Sequence, residues 1–320
     1  MKNFTFIFFF SIFSLSSQVD QLNKVDKIIY SYSNITSIEE LSKRINYDFK
    51  TDLEKVRAAF TWISKNIYYK HKNPFEITAL RTFIVFNEDD LKRKIKIDNE
   101  KTIRETFNSR SGVCKGYALL FHKICNLLNI KNELIYGYVR GSLNEVGNLP
   151  TNKNHVWNAI NINNKWIFID ATWASGYYNN GEWLQKVNTK YFNISKEELK
   201  LTHFPAATFW QKLINQKPLK EFCNQPIVKT AFLESKAQLV LPNQGIIRAE
   251  KNKSFKININ NLKPNTNIFY RIGNNGKIKT AYLTRKSKVT SVRIRGINKN
   301  NSLHLYFNND LALSYKVLVD

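Results

Sequence analysis

Two apolar runs meeting at Asn163-Asn164 constrain this chain more than any other feature. His155-Val156-Trp157-Asn158-Ala159-Ile160-Asn161-Ile162 precedes the pair, and Lys165-Trp166-Ile167-Phe168-Ile169-Asp170-Ala171-Thr172-Trp173 follows it. Both runs are rich in β-branched and aromatic residues, and Asn tolerates the positive φ of a tight turn, so they predict a β-hairpin. If Ile162 pairs with Lys165, His155 lies opposite Thr172, and Asp170 is its diagonal neighbour on the same face. Diagonal neighbours lie ~7–8 Å apart at the backbone, within reach of side chains. A slip of one residue would put the two on opposite faces.

A thiol lies upstream of this hairpin. Cys114 follows the turn pair Ser111-Gly112 and precedes residues 117–128, a run with the apolar spacing and length of a helix. The thiol is therefore expected in the first turn of a helix, where unpaired N–H groups and the dipole favour a thiolate. Residues 133–139 read as the next strand. A buried Cys alone is ordinarily a small core residue. A Cys at a helix start, a His and an Asp on one hairpin face together form a nucleophile, a base and a group that orients the base. Cys114, His155 and Asp170 are the candidate catalytic residues. The backbone N–H of Cys114 would hold an oxyanion, with Asn108 as a side-chain donor. Trp157, Trp166, Phe168 and Trp173 read as core aromatics of the hairpin, and Trp157 and Trp173 are also assigned to the substrate cleft.

These segments resemble the transglutaminase-like superfamily, the papain-related group with the order Cys…His…Asp. Its pattern is Gly-Val-Cys at a helix start, His-x-Trp-Asn on one strand and Trp-x-x-x-Asp-x-Thr-Trp on the next. This chain has all three, at Gly112, His155 and Trp166. The run Ala58-Ala59-Phe60-Thr61-Trp62-Ile63-Ser64-Lys65-Asn66-Ile67-Tyr68-Tyr69 resembles the family's preceding helix. His203-Phe204-Pro205 and Trp210-Gln211-Lys212-Leu213 are similar to the branch containing the kyphoscoliosis peptidase and its bacterial relatives. The resemblance covers residues 52–213. It implies a papain-like α+β core with Cys114 as nucleophile, His155 as general base and acid, and Asp170 as orienting carboxylate. Members include cross-linkers, peptidases, amidases and inactive scaffolds, so kinship alone does not fix the substrate.

The chain has 320 residues, 43% of them hydrophobic and 13% aromatic, enough to build about two packed domains. Lys2 followed by an apolar run at 4–15 and small residues at 14–17 reads as an export signal over 1–17. That run is shorter than the ~20 residues that span a bilayer, and no later run reaches that length. The expected product is an exported protein, periplasmic, surface-bound or secreted, with no transmembrane segment after the signal is removed. Three cysteines are present. If Cys114 is free, Cys125 and Cys223 remain to pair or to be packed separately. Cys125, in the middle of the helix, reads as core.

Residues 18–220 are assigned to the transglutaminase-like domain. Within it, Ser37 and Glu40 form a capping-box pattern, and a longer helix starts at Thr51 or Asp52. Charged residues 87–101 read as a solvated loop or helix face, and the acids at 88–90 lack an EF-type calcium loop. A boundary at 216–226 leads to residues 225–320, where short alternating strands are expected at 238–241, 246–249, 254–259, 267–272, 277–283, 289–295, 302–307 and 313–319. Their regular spacing predicts an all-β immunoglobulin-like sandwich. His122 reads as a core or flank histidine and His203 as structural in a His-Phe-Pro turn, while His71 and His304 have no partner by sequence. No His or Cys spacing points to zinc and no Gly-rich phosphate loop is present. No metal or cofactor is expected.

The net charge is +24. Lys and Arg are spread through both domains without a nucleic-acid reader motif, so nucleic acid is not an expected partner. An anionic surface or cell-envelope polymer is, alongside a protein or peptide substrate. The functional expectation is an exported cysteine acyl-transfer enzyme acting on peptide or amide bonds, with water or an amine as acceptor. The alternatives are a silent transglutaminase-like binding protein and a protein cross-linker.

Overall fold

The structure, a computed structural model, describes residues 8–70, 86–179 and 182–320. Residues 1–7 of the expected export signal, and His71, lie outside the described residues. The chain divides into two compact units. One holds residues up to Ile135 together with His155–Ile194, and the other holds Tyr136–Asn154 together with Ser195–Asp320.

The first unit starts with helices α1 (Phe8–Tyr30), α2 (Ile38–Asp48) and α3 (Asp52–Asn66). Ser37 caps α2 by accepting from Glu40 N–H at 3.0 Å. The Glu40 carboxylate turns to the N–H and hydroxyl of Thr36 instead of closing the expected box. Thr51 and Glu54 do form a full capping box on α3. Arg57 of α3 pairs in bidentate fashion with Asp26 of α1 at 2.8 and 2.6 Å, and both residues are buried.

Next come the short strand β1 (Tyr68–Tyr69), helix α4 (Glu88–Ser109), strand β2 (Ser111–Gly112) and helix α5 (Cys114–Leu127). Charged residues 88–101 form the first half of α4, capped by Asn87, and the pairs Lys92–Glu88, Arg93–Asp90 and Lys94–Asp90 support its exposed face. Strand β3 (Asn132–Val139) begins in this unit. The hairpin β4 (His155–Ile162) and β5 (Lys165–Ile169) follows, then α6 (Ala171–Ser175) and a second hairpin of β6 (Gly176–Asn179) and β7 (Glu182–Gln185). The first hairpin has the expected register from Ile162↔Lys165 to Asn158↔Ile169. Asn163 and Asn164 turn it with φ of 50° and 62°. Pairing does not continue to His155 and Thr172. The expected strand ends at Ile169, and Asp170 becomes the N-cap of α6.

The second unit takes the end of β3, α7 (Lys196–Thr202), β8 (His203–Pro205), α8 (Thr208–Ile214), α9 (Leu219–Asn224), β9 (Ile227–Val228) and α10 (Thr230–Ser235). His203 lies on a strand rather than in a turn, because residues 203–205 pair antiparallel with the end of β3. The boundary expected at 216–226 falls within this unit, where Phe204, Phe222 and Cys223 pack together. The rest is β10 (Gln238–Leu241), β11 (Ile246–Ala249), β12 (Phe255–Asn260), β13 (Ile268–Ile272), β14 (Lys279–Thr280), β15 (Tyr282–Lys286), β16 (Val289–Ile294), β17 (Asn301–Phe307) and β18 (Asp310–Val319). One sheet runs β10-β12-β16-β15 and the other β11-β18-β17-β13-β14. One apolar cluster holds Ile257, Ile259 and Val292 of the first sheet with Tyr270, Leu305 and Tyr315 of the second. This is an immunoglobulin-like sandwich. The strand expected at 277–283 divides at buried Ala281, with β14 on β13 and β15 on β16.

Candidate active site

Two features fix the turn that carries the thiol. Tyr68 and Tyr69 pair in parallel with Ser111 and Gly112. The N–H of Tyr68 donates to Arg110 O at 2.8 Å and that of Lys70 to Gly112 O at 2.9 Å. Helix α4 packs closely against the start of α5 through Thr106. A Cβ at Gly112 would stand 3.0 Å from Thr106 Cγ2, and one at Gly116 would collide with Thr106 Oγ1. Glycine at these two positions therefore lets α4 approach the nucleophile turn.

Cys114 is the first residue of α5, and Val113 supplies no side-chain cap. The free N–H groups of the first turn thus remain available to an anion. The thiol is free and half-buried. Lys115 faces away to a salt bridge with buried Asp98 of α4 at 2.7 Å.

His155 opens β4. Its Nε2 lies 2.7 Å from Asp170 Oδ2, and the Cys114 thiol is near enough to help raise the imidazole pKa. Asp170 Oδ1 accepts the N–H groups of Thr172 and Trp173 at 2.9 and 3.0 Å, which fixes the carboxylate plane. Burial acts to lower the pKa of His155. The charge and hydrogen bond of Asp170 outweigh it, aided by Cys114, and raise the pKa to about 10.

Aromatic rings surround the imidazole. Trp157 stacks near His155 at 6.0 Å between centroids, and Trp173 lies at 5.8 Å. Trp157 is buried, and Trp173 is half-buried against Tyr191. Asn158 donates to Ala118 O at 3.0 Å, tying β4 to the first turns of α5. The structure thus brings Cys114, His155, Asp170, Trp157 and Trp173 together. Asn108 lies exposed near the end of α4.

Sequence reasoning missed Tyr69. Its ring lies 6.4 Å from that of Tyr117, one turn beyond Cys114, and 5.3 Å from Trp183 of the second hairpin. Burial, then the charges of Cys114, Tyr178 and Asp170, push its pKa up. A two-residue strand has no readable period, so the only signal was two tyrosines just past a helix end. Gln185 secures the second hairpin by donating to Ser64 O and Ile67 O at 2.6 and 3.0 Å.

Cys125 is buried within α5, and Cys223 is buried in the second unit. Burial raises the pKa of both thiols. Neither forms a disulfide.

The transglutaminase-like superfamily model matches residues 39–171. The human protein named kyphoscoliosis peptidase is 26% identical over 255 residues, covering 76% of this chain and 34% of that protein. Hillarin of Drosophila melanogaster is 22% identical over 239 residues, covering 69% of this chain and 26% of its own. The chain therefore spans about a quarter to a third of the length of these curated relatives. A solved structure of a TGase overlaps with a TM-score of 0.27 at 12% identity, covering 55% of this chain and 43% of that one, too little to bear on the fold. Residues 39–171, which carry Cys114, His155 and Asp170, are a transglutaminase-like superfamily domain.

Proposed function

We propose that this protein is an exported cysteine peptidase or amidase. The observation that carries the reading is the pairing of His155 with Asp170 at 2.7 Å, with the Cys114 thiol near enough to help raise the imidazole pKa. The peptidase named among its relatives supports the choice of substrate bond. The Cys114 thiolate attacks the carbonyl carbon of an amide, and the oxyanion is received by the N–H of Cys114 at the helix start. The His155 imidazolium gives its proton to the leaving amine, which departs as a thioester forms. Neutral His155 then takes a proton from water as that water attacks the thioester, releasing the carboxylic acid and regenerating the thiolate and imidazolium. Asp170 keeps the imidazole in one orientation and stabilises its charge throughout.

Export is supported by Lys2 and the apolar run at 4–15. Among the described residues no helix is long and apolar enough to cross a membrane. The net charge of +24 suits a protein working beside an anionic envelope polymer.

The test is iodoacetamide labelling of Cys114 against pH, in the native protein and in His155→Ala, followed by peptide cleavage read by mass spectrometry. Fast labelling below pH 7 that His155→Ala loses, together with products one water heavier, supports the reading. A slow thiol titrating near ~8.5 overturns it in favour of a silent binding module. Products joined to an added primary amine in preference to water would make the protein a cross-linker.

A further inference from the structure

The second unit contains a cavity of about 500 Å³ remote in sequence from Cys114, lined by the loop at 141–144 and by residues of the sandwich. This size lies within the ~300–1,000 Å³ of ordinary small-ligand pockets. Its charged lining is cationic. Lys229 and Lys316 line it, and among the described residues no Asp or Glu does.

Among the described residues each lysine ammonium makes one hydrogen bond, that of Lys229 to Gly141 O at 3.1 Å and that of Lys316 to Val146 O at 2.8 Å. An ammonium group carries three donors, so each keeps donors for a ligand. The nearby acid, Glu145, is engaged with the N–H groups of Gly141 and Ser142, both at 2.8 Å. His304 lines the same cavity, between Ser314 Oγ at 2.8 Å and Ser302 Oγ at 3.0 Å. Burial, then the charges of Arg271 and Lys229, lower its pKa to about 4, so it is neutral and works as a hydrogen-bonding group. The rest of the lining combines amide and hydroxyl groups, including Ser142, Asn274 and Asn301, with apolar Leu143, Ile227 and Leu311. Amide and hydroxyl groups pair with hydroxyls in either direction.

We propose that this cavity binds a small polyhydroxylated anion, an acidic sugar, with its carboxylate met by Lys229 and Lys316 and its hydroxyls by the Asn and Ser side chains. An apolar ligand would leave the lysine ammonium groups desolvated without a counter-charge. A neutral sugar would leave the same charges unmet.

The experiment is titration calorimetry of the full chain with D-glucuronate, D-glucose and inorganic phosphate, each separately. Glucuronate is expected to bind saturably, at least tenfold more tightly than either control. Lys316→Gln is expected to weaken glucuronate at least tenfold. Asn274→Ala, in an exposed turn, is expected to weaken it several-fold with an unchanged melting profile, which covers the case that the lysine variant misfolds. Absence of glucuronate binding overturns the proposal. So does phosphate or glucose binding as tightly as glucuronate, or a folded Asn274→Ala that binds like the native protein.

Discussion

His155 Nε2 lies 2.7 Å from one oxygen of Asp170, while the other oxygen of the same carboxylate caps α6. The base is therefore oriented by a group that is itself held by two backbone N–H donors. A carboxylate fixed in this way cannot rotate to follow the imidazole, so the imidazole must adopt its orientation.

Charge and capping at Asp170 can be separated by substitution. Asn is as good an N-cap as Asp, so Asp170→Asn should keep the cap and lose only the stability that the charged pair with His155 contributes. It removes the charge that keeps His155 protonated. Iodoacetamide labelling of Cys114 at pH 6.5, and any peptide cleavage, should fall about 10²–10⁴-fold, the usual weight of a positioned acid–base group. Asp170→Ala should lose as much reactivity and a further ~1 kcal/mol of stability for the missing cap. Equal denaturation midpoints for the two variants would contradict the capping role.

The His155–Asp170 pair also sets a pH dependence of stability. The folded pKa of His155 is raised to about 10, against an ordinary value of ~6.5. A raised pKa contributes stability that is complete below ~6.5 and is lost as pH climbs towards 10. The midpoint difference between native protein and His155→Gln should shrink steadily from pH 6.5 to 10. Urea denaturation at four pH values in that range would show it, and a difference that widened with pH would refute the assignment.

Close approach of α4 to the nucleophile turn depends on Gly116. Gly116→Ala places a methyl group against Thr106 Oγ1, which should cost about 1–3 kcal/mol by overpacking. Removing the obstacle with Thr106→Ala should recover most of that loss in the double variant. A double-mutant cycle by denaturant unfolding measures the coupling. Purely additive effects would mean that α4 yields without strain.

Asp26 and Arg57 anchor α1 through a buried ion pair. Arg57→Met leaves a buried carboxylate without its cation and should cost about 3–5 kcal/mol. A chain starting at residue 18 keeps Val25, Asp26 and Ile29, which are buried, and should melt like the full chain. A chain starting at residue 31 should be destabilised at least as much as Arg57→Met. Thermal melts of the two truncations decide the point.

Much of the site was legible because hairpin register is a local property. The Asn163-Asn164 turn fixes every pair from Ile162↔Lys165 to Asn158↔Ile169, and this brings His155 level with Asp170. The expected strand runs on to Trp173, whereas the real one stops at Ile169. Alternation continues past Asp170, and nothing in it reveals that the carboxylate will capture two N–H groups and start a helix. The division at Ala281 was hidden for a related reason. Residues 279–280 and 282–286 both read as strand, and a strand's pattern does not say which sheet it joins. Tyr69 and the Asp26–Arg57 pair depend on contacts distant in sequence, which no local period reports.

The parallel pairing of Tyr69 with Gly112 brings together segments more than forty residues apart. Closing so long a loop costs chain entropy. The hairpin that joins His155 to Asp170 closes over only a few residues. The base is thus positioned by a local turn, whereas the seat of the nucleophile depends on a long-range closure, so changes that loosen the chain between them act on the thiol first.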